Sequence, residues 1–96
     1  MTDYRTRFES DGLNKEEVEA LFQYLIFLGC AFEAHNVVID VKTRMFVTGK
    51  GTSRVELQTI IAVQLENCGT LARFEEFGDL STVCLTKNKG ILTENG

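Results

Sequence analysis

The stretch from Met45 to Gln58, MFVTGKGTSRVELQ, carries the chain from a strand into a helix within one short span. Met45 to Thr48 is apolar, aromatic and β-branched, which suits a pleated, half-buried surface. Gly49-Lys50-Gly51 then breaks the pattern, as clustered glycines do in turns. Ser53 and Glu56 stand three residues apart, the spacing of a capping box, in which the two residues satisfy orphan helix donors reciprocally. Leu57, Ile60, Ile61 and Leu65 follow at helical spacing. Strand, turn, cap and helix therefore meet here, and the rest of the chain is read outward from this junction.

Upstream, NKEEVEALFQYLIFLG (Asn14 to Gly29) shows the same helix start, with Asn14 in the cap position and Glu17 three residues later. Val18, Leu21, Phe22, Leu25 and Ile26 form one helical stripe. Two β-branched and aromatic runs, AFEAHNVVIDV and TRMFVTG, are separated by a polar turn at Asp40 to Thr43 and predict a hairpin. Downstream, TLARFEEF, the turn GDLS and TVCLTK predict a second hairpin. An ungapped offset of 39 lays Asn14 on Ser53, Leu21 on Ile60, Asp40 on Asp79 and Lys50-Gly51 on Lys89-Gly90.

The expected fold is α+β. It is a two-layer sandwich in α-β-β-α-β-β order, with a four-stranded antiparallel sheet, two helices on one face and a possible pseudo-two-fold repeat. A polar N-terminal arm (1–13) precedes a single domain (14–90), with possible half-repeats 14–51 and 53–90 and a C-terminal tail (91–96).

Composition narrows the function classes. The chain has 96 residues, 44% of them hydrophobic and 25% charged, which is ordinary for a domain with one core. A net charge of −4 disfavours nucleic-acid binding, which rests on neutralising phosphates with Lys and Arg. It disfavours a basic membrane-binding face for the same reason. The apolar-rich run from Ala20 to Ala34 contains Gln23 and Glu33 and is too short to span a bilayer. Three cysteines without close pairs fit a reducing compartment, and the polar N-terminus lacks the apolar core of a secretory signal. A cytoplasmic location is expected.

Few residues point to chemistry. A Walker A loop needs a glycine five residues before its Gly-Lys pair, and Arg44 stands there instead. Ser53 therefore reads first as a cap. The alternative is a small-ligand or enzyme site in which Lys50, Ser53 and Arg54 bind an anionic ligand at a helix N-terminus, with weak nucleic-acid binding as a third reading. Cys30, Cys68, Cys84 and His35 could compose a zinc set, but none of the cysteines has the nearby chelating partner of structural zinc sites. They read as buried, inert thiols, and His35 as a partly exposed strand residue. No metal and no cofactor are expected.

Glu16, Glu17 and Glu19 complement a helix N-terminus. Glu75 and Glu76 alternate across a strand and cannot converge. Phe32, Phe46, Phe74 and Phe77 lack an RNP-like pattern, and core packing is their expected role.

One anomaly remains. Tyr24 to Leu28 are consecutive apolar or aromatic residues, whereas a helix on a sheet buries only one stripe. Tyr24, Phe27 and Leu28 then need another cover: a partner protein, a second copy of the chain, or the N-terminal arm through Tyr4 and Phe8. The leading expectation is a non-catalytic interaction or regulatory module, a homodimer or the partner of another protein.

Overall fold

Both helix starts form with their caps in the computed structural model, which describes residues 4–77 and 80–87. Helix α1 spans Lys15–Phe27. Asn14 Oδ1 accepts from the Glu17 amide at 2.8 Å, and Glu17 Oε1 accepts from the Asn14 amide at 3.0 Å. The capping box is complete. A short helix, α2 (Gly29–Glu33), follows, then strands β2 (Val37–Asp40) and β3 (Met45–Thr48) and helix α3 (Arg54–Asn67). Ser53 caps α3, its Oγ accepting from the Glu56 amide at 3.2 Å. The chain continues in the strands Thr70–Phe77 and Leu80–Lys87. The predicted turn residues Gly78 and Asp79, the Lys89-Gly90 pair and the tail at 91–96 lie outside the described residues.

The α+β class holds, but the sheet differs from the expectation in size and order. Residues read as a polar arm form a strand, β1 (Tyr4–Ser10), so the last two strands are β4 and β5. The sheet has five strands in the order β2-β3-β1-β5-β4. β1 is antiparallel to β3 and parallel to β5, which makes the sheet mixed. The two anticipated hairpins therefore do not pair with each other, because β1 lies between them.

The physical reason is a period-two pattern in YRTRFES. Tyr4, Thr6 and Phe8 face one side, while Arg5, Arg7 and Glu9 face the other. The inward positions are apolar or uncharged enough to enter the core, and Thr6 and Phe8 are buried.

A second departure concerns AFEAHNVVIDV. Its first residues are helical, because Phe32 turns inward from α2 and packs on Phe46 with ring centroids 5.8 Å apart. The strand starts only at Val37, after Asn36 adopts a left-handed φ of 59°, which asparagine tolerates better than most residues. His35 therefore sits before the strand rather than in it. Its carbonyl accepts a 2.6 Å hydrogen bond from Thr52 Oγ1, which fastens the start of β2 to the loop preceding α3.

One core cluster unites Phe8, Phe46, Val37, Val83 and Leu85 from the strands with Leu21, Phe22 and Leu25 of α1 and Leu57, Ile61 and Leu65 of α3. All the strand residues in it belong to one parity of their strands. The two long helices thus cover one face of the sheet, as helical spacing in both sequences predicts. Val18 and Ile26 complete the inner stripe of α1 as half-buried neighbours of the core. Phe8 lies against Phe22 at 5.1 Å and Phe46 at 6.1 Å, so the central strand supplies the aromatic centre of the core.

Candidate functional site

The outer flank of α1 is the sequence-derived candidate, and the three residues assigned to it separate. Phe27 is 81% exposed and Tyr24 41% exposed. Leu28 is half-buried and packs against the core, because it follows the helix as its C-terminal cap and turns inward. The flank therefore presents Ala20, Tyr24 and Phe27, at positions i, i+4 and i+7 of one helical face. Beside them lies a groove of about 390 Å³ between α1 and the α3–β4 junction, with Leu13, Ala20 and Tyr24 on one wall and Asn67, Cys68 and Thr70 on the other. Among the described residues, Tyr4 and Phe8, the cover expected from the N-terminal arm, do not lie on this flank. Phe8 is in the core, and Tyr4 lines a different groove, beside Lys50.

Glu17 lines the flank groove and bonds Lys87 Nζ at 2.9 Å. The Lys87 ammonium, and secondarily the bond with Asn14, hold the Glu17 carboxyl below its ordinary value. The α1 N-terminus is thereby tied to the end of β5.

Of the three residues read as an anion site, two share a groove and the third turns away. Lys50 and Ser53 line a groove of about 390 Å³ with Tyr4, Thr52 and Glu56. Arg54 instead reaches the other hairpin, with its Nε 3.0 Å from Ser81 Oγ and 3.4 Å from Glu76 Oε1. The sequence could not show this, because the partner strand lies 27 residues downstream. With the guanidinium withdrawn and a Glu56 carboxylate in its place, the loop is a weaker anion site than its composition suggests.

The cysteines do not assemble. Among the described residues, no group of three or more His, Cys, Asp or Glu side chains stands close enough to hold a metal ion. Cys68 donates to the Gln64 carbonyl at 3.2 Å, and burial pushes its thiol up to about 11. Cys84 is also raised, by burial first and then by the Glu75 and Glu9 carboxylates. None of the three thiols is fully buried, contrary to the expectation: Cys30, in α2, is exposed, and Cys68 and Cys84 are half-buried.

Sequence reasoning missed the helix-free face of the sheet. The strand registers place Val38, Val47, Arg5, Leu80 and Phe77 in one row across all five strands. Phe77 is 61% exposed in that row, so it does not serve the core role expected of it, whereas Phe32 and Phe46 are buried and Phe74 packs against the core. The next row carries Asp40, Met45, Arg7, Thr82 and Glu75. Positive and negative side chains alternate there, and no stripe of one sign forms that would attract a nucleic-acid backbone. Glu75 and Glu76 lie on opposite faces, as alternation requires; Glu76 faces Arg54.

No helix among the described residues is long and apolar enough to cross a membrane. No protein-family model matches the chain, and comparison with curated proteins and with solved structures likewise gives no match.

Proposed function

We propose that the chain is a non-catalytic interaction module of regulatory use, which binds a protein through the outer flank of α1. The observation that carries this reading is the exposure of Phe27, 81% in water and one helical turn along α1 from Tyr24, which lines the groove. A large aromatic left in water forgoes roughly 1.5–3 kcal/mol that burial would supply. Aromatic side chains next to a concave apolar wall are the usual anchors of protein interfaces. Leu28, turned into the core, drops out of the contact set, and Tyr24 and Phe27 remain. The occupant is another protein or a second copy of the chain. Three free cysteines support a reducing location such as the cytoplasm.

The test is Phe27→Glu in the full chain. The substitution places a charge on an exposed position, so far-ultraviolet circular dichroism and the melting temperature should stay near wild type. Binding to the native partner, and any self-association made through this flank, should fall at least tenfold. Unchanged partner binding with unchanged folding would remove the flank from consideration.

A second reading keeps Lys50 and Ser53, which share a groove at the start of α3, as a site for a small anion. Phosphate at millimolar concentration should then raise the melting temperature, and Lys50→Ala should abolish the rise. The withdrawal of Arg54 places this reading second.

A further inference from the structure

We infer that two copies of the chain join edge to edge through β4, forming one continuous sheet of ten strands from the five of each copy. This rests on the sheet edge and not on Tyr24 and Phe27 of the α1 flank.

β4 is an edge strand of eight residues, Thr70–Phe77, paired among the described residues only with β5. The opposite edge, β2, has only four residues, and shortness is one of the ways by which natural sheets protect an edge. β4 lacks that protection, contains no proline and keeps an unbroken residue-by-residue register with β5 from Thr70 to Phe77, without a bulge. Its outer N–H and C=O groups form a ready template for another strand. Its charged residues are the remaining defence against such pairing, and their order decides whether they repel a second copy or attract it.

Antiparallel pairing of two identical strands places a two-fold axis normal to the sheet, passing through one residue position, so that residues of one parity stay on one face. An axis at Arg73 opposes two arginines, and an axis at Glu75 opposes two glutamates. With the axis at Phe74, Arg73 of each copy faces Glu75 of the other, and Leu71 faces Phe77. On the core-side face, Phe74 meets Phe74 and Ala72 meets Glu76. Within LARFEEF, this register matches opposite charges twice and the large exposed apolar residues twice. Leu71 and Phe77 are both exposed in the single chain. The charges therefore select one register for self-pairing. Arg73 lies 3.4 Å from Asp11 within its own chain, but both side chains are well exposed, so this pair leaves Arg73 able to face a second carboxylate.

The experiment is a charge exchange in the full chain, read by sedimentation velocity up to ~1 mM, the weak end of specific association. The wild type should sediment as a concentration-dependent dimer. Arg73→Glu and Glu75→Arg, made separately, should each weaken self-association at least about tenfold, because each replaces two attractive pairs with two repulsive ones. Their β5 neighbours, Cys84 and Thr82, are uncharged, so circular dichroism should report a folded chain in both cases. Mixing the two variants should restore the dimer as a heterodimer, and the double variant with both charges exchanged should dimerise alone. Phe27→Glu should leave this dimer intact. A wild type that stays monomeric, or single variants that dimerise as well as wild type, overturns the inference. Single variants that fail to recover on mixing overturn it as well. A dimer dissolved by Phe27→Glu and indifferent to the charge exchange would assign self-association to the α1 flank instead.

Discussion

Thr6 lies fully buried in the central strand, and its Oγ1 has no hydrogen-bond partner among the described residues. Its register neighbours are Phe46 on one side and Ser81 on the other. Ser81 Oγ accepts a hydrogen bond from Arg54 Nε and makes none with Thr6 Oγ1. A buried hydroxyl without a partner carries a desolvation penalty of about 1–3 kcal/mol, and valine has nearly the same shape without that penalty. Valine also suits a central strand. Thr6→Val is therefore expected to stabilise the protein by about 1 kcal/mol, measured as a higher urea midpoint at unchanged slope. A loss of stability would show that the hydroxyl is satisfied in solution. The same residue explains why β1 escaped the sequence reading. A strand whose inward positions include threonine, and whose outward positions are Arg5, Arg7 and Glu9, reads as polar when composition is weighed before alternation.

The two long helices were legible because caps and apolar stripes are local signals, written within one or two turns of chain. Asn14 and Glu17 formed both bonds of the capping box that their spacing implies, whereas Ser53 and Glu56 formed one, from the Glu56 amide to Ser53 Oγ. The sheet was less legible because strand order depends on contacts between distant segments, and nothing in either hairpin announces that β1 will enter between them. Arg54 illustrates the same limit at a site: its partners, Glu76 and Ser81, belong to the other hairpin. The exposed flank of α1 was legible, since five consecutive apolar positions cannot all face one sheet. The helix-free face was not, because it exists only once five strands are in register.

At this scale, the tie between Glu17 of α1 and Lys87 of β5 has a pH signature. The Glu17 carboxyl is held below its ordinary value of 4.5 in the folded chain. The unfolded chain therefore takes up a proton first as the pH falls. The contribution of this pair is fully present above about pH 4.5 and disappears as the pH drops through the lowered folded value. Glu17→Gln should flatten the acid limb of the stability–pH curve and leave the shape of the curve above neutrality unchanged. An acid limb as steep as wild type would show that the tie does not persist in solution.

For the whole molecule, the question is which apolar surface holds the fold and which is left for association. Phe22 and Phe27 stand five residues apart on the same helix and answer it differently. Phe22 is 2% exposed, lies 5.1 Å from Phe8, and has the Arg44 guanidinium over its ring at 4.9 Å. Removing that ring opens a cavity between α1 and the central strand, where close packing allows little collapse. Phe22→Ala should therefore destabilise the chain by about 3–5 kcal/mol, a large share of the stability of a domain this size. Phe27 projects into water and supports no packing, so Phe27→Ala should change stability by no more than about 0.5 kcal/mol. Urea unfolding of the two variants at low protein concentration, where association does not contribute, measures both values. Comparable losses from the two would place Phe27 in the fold rather than on a binding surface. The pair thus separates the inner stripe of α1 from its outer flank, and the division of labour proposed for the helix depends on that separation.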